Sequence, residues 1–440
     1  MKRNVFYDTK RKAPQLIRPR HEIIKSMDRE PQVYNLDNGA KIITKERKGR
    51  DVGIFLGFPF GLSHDLHGSH LSEHLFFRRG DKELGIEVHE AIERIGGYFT
   101  GYTTEDLMGF PIFLAADRLE EATTILSACL KQRKVEKKHL KLEQSVVCGE
   151  LDQRWSEPEA YLGVAEQKIL FPNGHPLDLE RETKKAYHRL TTDDIELINR
   201  TKFGTKNLHV GLVGPDIPKL LECTKRLLDN LLYEGNSIPK FSYSELLGNK
   251  KTVRRPGVKD ISTYLSFLIE GNETPDLPAL ELMFHILEGN GAQDYMISSR
   301  LFRSLRTETG VMYHTASNID HFNGVGYATF GCSGTQSKNA DRVERILLKE
   351  MQRLREELVP EAEYDCALRS FSLSASRTVR YEVAPEEIAE DLVLGEFYKT
   401  PRTQREYVRQ VKSVTPEEIR RVANKYASPD KVLVSILRGQ

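Results

Sequence analysis

Two histidines four residues apart, with a glutamate between them, stand at His70-Leu71-Ser72-Glu73-His74. On a helix, positions i and i+4 share one face about one turn apart, so both imidazoles can reach a single metal ion. Zinc accepts imidazole nitrogen, and a catalytic zinc commonly uses three protein ligands and leaves a further position for water. Glu73 projects beside the pair and can take a proton from that water, which makes it a general base and not a ligand. The third ligand must come from elsewhere. The run Glu143-Gln144-Ser145-Val146-Val147-Cys148-Gly149-Glu150 offers two carboxylates seven apart, on one helix face, with Glu150 lying 76 residues beyond His74.

These residues need a scaffold, and the sequence outlines one. Val33-Tyr34-Asn35-Leu36, a turn at Asp37-Asn38-Gly39, and Lys41-Ile42-Ile43 read as a β-hairpin. Apolar pieces follow from Val52 to Phe60, then helical periodicity near 70–95, 115–130 and 137–155, then a strand at Leu208–Val213. The expected class is α+β: mixed α/β traffic without βαβ repetition.

An internal repeat organises the chain. Leu190-Thr191-Thr192-Asp193-Asp194-Ile195 leads to Lys202-Phe203 and the strand from Leu208; Val414-Thr415-Pro416-Glu417-Glu418-Ile419 leads to Lys425-Tyr426 and Val432–Leu437. Both cassettes open with a capping box, Thr191 to Asp194 and Thr415 to Glu418, and both close in a strand. The expectation is a basic arm at 1–30, a metal-binding domain at 31–233, a polar linker at 234–256 and a homologous domain at 257–440.

Composition narrows the function classes. With 65 Lys+Arg against 64 Asp+Glu, the net charge of +1 provides no bulk field for nucleic acid or an anionic membrane. The apolar stretch Val52–Leu62 is about half the roughly 20 residues of a membrane-spanning helix. The cysteines Cys129, Cys148, Cys223, Cys332 and Cys366 form no CxxC pair, which favours a reducing compartment and a packed, structural Cys148. The cytoplasm is the expected location, or the mitochondrial matrix if the basic arm is a targeting segment. His64 and His67 fall in the loop before the motif, where surface or substrate-facing roles are expected instead of ligation.

The order of these motifs resembles the pitrilysin-type inverzincin metallopeptidases, whose HxxEH is followed about seventy-five residues later by a glutamate ligand. The resemblance implies one zinc per chain held by His70, His74 and Glu150, with Glu73 as base and Glu143 orienting an imidazole. Gly96-Gly97-Tyr98-Phe99-Thr100-Gly101-Tyr102-Thr103 is similar to the family's GGxxNAxT edge strand, with Thr100-Gly101 replacing Asn-Ala. Gly97, Tyr98, Phe99, Thr100, Gly101 and Tyr102 are therefore expected to pair with a peptide substrate by strand addition.

In the second domain, Ser298-Ser299-Arg300-Leu301-Phe302-Arg303-Ser304-Leu305-Arg306, followed by Tyr313, resembles the family's substrate clamp. The resemblance implies that Arg306 and Tyr313 donate to the scissile carbonyl. Glu288-Gly289-Asn290-Gly291 is similar to the family's Gly-rich loop, lengthened by residues 292–297. The second domain has no HxxEH. Each domain is expected to be an antiparallel-rich sheet covered by helices, the pair forming half of a clam-shell chamber. A homodimer, or a heterodimer with an inactive homologous chain, follows from the resemblance. The expected activity is zinc-dependent endopeptidase; the alternative is a catalytically inactive structural or regulatory subunit.

Overall fold

The computed structural model describes residues 30–81, 85–171, 183–228, 248–289, 298–311, 314–380, 384–400 and 404–439. Residues 1–29 of the basic arm, Tyr313, residues 234–247 of the expected linker, and Asn290 and Gly291 of the Gly-rich loop with its extension lie outside them.

The hairpin forms as expected, with Gln32–Asn35 antiparallel to Lys41–Glu46. Gly39 turns the chain at φ 85°, a left-handed conformation that costs glycine little. Lys41–Glu46 runs parallel to His209–Gly214, which is antiparallel to Asp51–Phe58, which pairs in turn with Met108–Ala115. Tyr98–Phe99 and Tyr102–Thr103 both add to Met108–Ala115 and form that edge of the sheet.

The second sheet repeats this plan. Asn249–Arg255 runs parallel to Leu433–Gly439, followed by Ile261–Glu270, Val325–Thr335 and His314–His321, each antiparallel to its neighbour. Both cassettes have their capping boxes made, at Thr191 with Asp194 and at Thr415 with Glu418. Two similar sheets, each with one parallel pair followed by antiparallel neighbours and the first carrying Gln32–Asn35 as an added strand outside that pair, bear out tandem homologous α+β domains.

Two boundaries differ from the sequence reading. The strand Asn249–Arg255 occupies the end of the stretch read as a linker. It is an edge strand with a single neighbour, and its lysines and arginines suit an edge that must not recruit other strands. The periodicity over 70–95 resolves into two helices, Gly68–Phe77 and Val88–Arg94, separated by a small hairpin of Gly80–Asp81 with Ile86–Glu87. A Cβ on Gly80 would collide with the Ile86 carbonyl oxygen, so this close approach requires glycine.

The halves also exchange helices. Pro385–Tyr398, from the second half, lies on the first sheet, where Ala389, Leu392 and Val393 pack on Ile43, Phe55, Leu107 and Val213. Pro158–Leu170, from the first half, lies on the second sheet, with Leu170 against Leu268 and Leu433. Each spatial domain therefore includes a helix from across the 233/257 division. From residue 52 to 58 the strand Asp51–Phe58 is buried on both faces, which is why it reads as a nearly unbroken apolar run. Ile54, Leu56 and Phe58 join the main core of the first domain while Phe55 faces the exchanged helix, as the two-residue period of a strand requires.

Candidate metal centre

The motif helix Gly68–Phe77 is fixed at both ends. At its start the Asp65 carboxylate accepts the backbone N–H groups of Gly68 at 2.8 Å and His67 at 3.3 Å, satisfying otherwise orphaned donors. Just past its end the Arg79 guanidinium is buried over the rings of Phe76 (4.5 Å) and Phe203 (4.9 Å) and donates to Asn199 at 2.6 Å. Burial, with Arg133 nearby, pulls Arg79 down to about 9. Leu71, Leu75 and Phe76 face the core, leaving His70 and His74 on the opposite side.

That side meets the helix Lys137–Ser156, from which Glu143 and Glu150 project. His70 Nε2 lies 3.4 Å and His74 Nε2 3.6 Å from Glu150 Oε2. These separations exceed good hydrogen bonds. They match three ligands around one cation, because atoms about 2.0–2.1 Å from a tetrahedral zinc stand roughly 3.3–3.4 Å apart. One ligand atom from each of His70, His74 and Glu150 lies within 4.8 Å of the others, and no other such cluster occurs among the described residues.

The far ring nitrogens are already engaged. His74 Nδ1 meets Glu143 Oε2 at 3.0 Å, and His70 Nδ1 meets the hydroxyl of fully buried Tyr187 at 3.3 Å. Each contact orients a ring so that Nε2 faces Glu150, the usual way a protein aims an imidazole at a metal. Glu143 is held in turn by Arg78, whose Nε donates to it at 2.6 Å and whose Nη1 donates to both oxygens of Glu87 at 3.0 Å.

The charges follow from this packing. Burial opposes the charged form of His74, but Glu143, Glu73 and Glu150 outweigh it and raise the imidazole above its ordinary range. Burial likewise works against Glu143 as an anion, yet hydrogen bonds from His74 and Arg78 hold it low. Glu73 behaves differently: it is only 8% exposed, and burial raises its carboxyl despite the two histidines and a 3.0 Å hydrogen bond from Thr103 Oγ1. A carboxylate made more basic by burial beside a cation site is suited to accept a proton.

The structure thus brings together His70, Glu73, His74, Glu143 and Glu150, and puts Gly97 to Tyr102 along a sheet edge. The edge is interrupted at Thr100-Gly101, and a Cβ on Gly101 would press on the rings of Phe110 and Phe77. Arg306 is exposed on a π-helical turn, Phe302–Thr307, of the second domain; Tyr313 lies outside the described residues. His64 is drawn further inside than a surface residue: its Nδ1 accepts the Gly61 N–H at 3.1 Å, and burial with Lys202 nearby lowers its pKa to about 4. His67 packs edge-on against Tyr187. Cys148 is a buried core cysteine.

Sequence reasoning missed Tyr187, Thr103, Arg78 and Glu87. Arg78 was findable, being four residues after His74 on the same face. Thr103 ended the segment already singled out, but nothing local indicated that its side chain turns toward Glu73. Tyr187 is 117 residues from His70 and carried no signal.

With this geometry established, comparison with known proteins places the chain. Residues 63–172 match the family model "Insulinase (Peptidase family M16)", and residues 189–371 match "Peptidase M16 inactive domain". The chain belongs to the M16 peptidase family, the pitrilysin type. An uncharacterized zinc protease of Bacillus subtilis is 19% identical, the match covering 92% of this chain and 97% of that protein. The peptidase M16 inactive domain from Pseudomonas fluorescens superposes with a TM-score of 0.83 at 18% identity, over 93% of this chain and 98% of that one. A chain of complex III2 from Candida albicans superposes at 0.75 with 16% identity, over 93% of this chain and 95% of that one. Among the described residues no helix is long and apolar enough to cross a membrane.

Proposed function

We propose that the chain is a zinc-dependent endopeptidase acting on peptides or short unfolded polypeptides, for precursor processing or peptide degradation. The observation that carries this reading is the convergence of two imidazole Nε2 atoms and Glu150, with Nδ1 of each ring engaged elsewhere and a buried Glu73 alongside. His70, His74 and Glu150 would hold one zinc ion, which supplies Lewis acidity that polarises a carbonyl and acidifies a water.

The chain's own groups then divide the work. An extended substrate adds to the sheet edge formed by Tyr98–Phe99 and Tyr102–Thr103, through main-chain hydrogen bonds. Glu73 takes the proton of the attacking water as oxygen bonds to the scissile carbonyl carbon. It returns that proton to the amide nitrogen as the C–N bond breaks. Arg306 and Tyr313 serve as donors to the carbonyl oxygen as it gains charge. The domain lacking the motif grips substrate, and the working unit is a homodimer or a pair with an inactive homologue, in the cytoplasm.

The likeness to a complex III2 chain supports a second reading, a structural subunit without activity. The assembled ligand set favours the enzyme. Metal analysis of the purified chain, with cleavage of a quenched-fluorescent peptide library by wild type and Glu73→Gln, decides between them. The expected result is one zinc per chain and cleavage abolished in the variant with zinc retained. Absence of zinc and cleavage, alone or with homologous chains, would establish the structural reading.

A further inference from the structure

The strand Tyr102–Thr103 is only two residues long, and its two side chains point to opposite faces of the sheet. Tyr102 turns toward the exchanged helix Pro385–Tyr398 and donates its hydroxyl to Glu390 Oε1, a residue 288 positions away. Thr103 turns the other way, toward the motif helix, and donates its hydroxyl to Glu73 Oε2 at 3.0 Å. The backbone beneath them is fixed by register, Tyr102 opposite Gly109 and Thr103 opposite Met108, and by a turn closed from Thr104 N–H to the Leu107 carbonyl at 2.8 Å.

The contact to Glu73 is selective. Among the described residues it is the sole hydrogen bond to the Glu73 carboxylate, and it occupies Oε2. Oε1 keeps its lone pairs. A glutamate side chain has a broad terminal torsion, so a buried carboxylate with no donor can swing its two oxygens over a wide arc. A single donor on one oxygen removes that freedom and fixes where the other oxygen points. A general base depends on such aim, because misplacement by about 1 Å can cost about a hundredfold in rate.

We infer that Thr103 is a positioning residue for the base: its hydroxyl clamps Glu73 Oε2 and so directs Oε1 at the water to be deprotonated. The inference rests on the peptidase reading of Glu73. Tyr102 anchors the clamp from the other face, so a helix contributed by the second half of the chain braces the base of the first. The edge strand then has two tasks: its main chain receives substrate and its last side chain aims the base.

Thr103→Val removes the donor and keeps the β-branched shape; Thr103→Ser keeps the donor on a smaller side chain. Crystal structures of the metal-free wild type and both variants read the Glu73 rotamer directly, and steady-state kinetics with zinc analysis read its consequence. Thr103→Val should release Glu73 from its single rotamer and lower kcat by about tenfold or more, with KM within about twofold and zinc content unchanged. Thr103→Ser should restore both the rotamer and most of kcat. Retention of rotamer and kcat in Thr103→Val, or equal losses in both variants, would overturn the inference. If Glu73→Gln cleaves as well as wild type, or wild type does not cleave either alone or with homologous chains, the peptidase reading fails instead, and the rotamer comparison still decides whether Thr103 positions Glu73.

Discussion

Glu166 lies at the centre of the exchanged helix Pro158–Leu170, where that helix rests on the second sheet. Its carboxyl is buried and accepts hydrogen bonds from Ser266, at 3.2 Å, and from Ser435. Burial raises its pKa from 4.5 to about 7, the two serine hydroxyls only partly opposing it. A carboxyl whose folded pKa exceeds its unfolded one binds its proton more tightly when folded. Its contribution is therefore greatest below pH 4.5, declines as pH rises, and is lost by about pH 7. At about 1.4 kcal/mol for each tenfold change in proton affinity, the shift is worth about 3 kcal/mol.

Glu166→Gln keeps the shape and cannot ionise. Its stability relative to wild type should rise by about 2.5 kcal/mol between pH 5 and pH 8, measured by chemical denaturation at several pH values. Other carboxyls raised to about 6 or 7, such as Asp106, Asp391 and Glu281, are common to both proteins and cancel in the difference. A difference that does not change with pH would refute the reasoning. The effect bears on function because the exchanged helix begins two residues after the helix Lys137–Ser156, which carries Glu150. Loosening this dock at alkaline pH should also weaken zinc retention.

Two further outcomes test the scaffold of the site. Glu143→Gln removes the charge that His74 Nδ1 and Arg78 share, and zinc affinity should fall about 10- to 100-fold in chelator competition; an unchanged affinity would mean that Glu143 does not orient the ring. Gly53→Ala places a Cβ against the backbone of Pro385 and Glu386, where neither partner can give way. It should cost about 3 kcal/mol, the upper part of the overpacking range, and expose the exchanged helix to limited proteolysis; a neutral result would show that this helix does not press on the first sheet in solution.

The sequence by itself determined the features that depend on short spacings. His70, Glu73 and His74 share a helix face because of the helical period, and Glu143 and Glu150 share theirs for the same reason. The two capping boxes and the strands that follow them marked the duplication, since caps and alternation act over a few residues. The tertiary structure alone decided what those faces meet. It set Tyr187 against His70, Thr103 against Glu73, and each half's helix on the other half's sheet. It also made a strand of Asn249–Arg255, whose polar composition reads as linker until Leu433–Gly439 lies beside it. The physical reason is that periodicity encodes which side of an element is apolar, while the partner of that side is chosen by packing complementarity across more than a hundred residues, for which no local pattern exists.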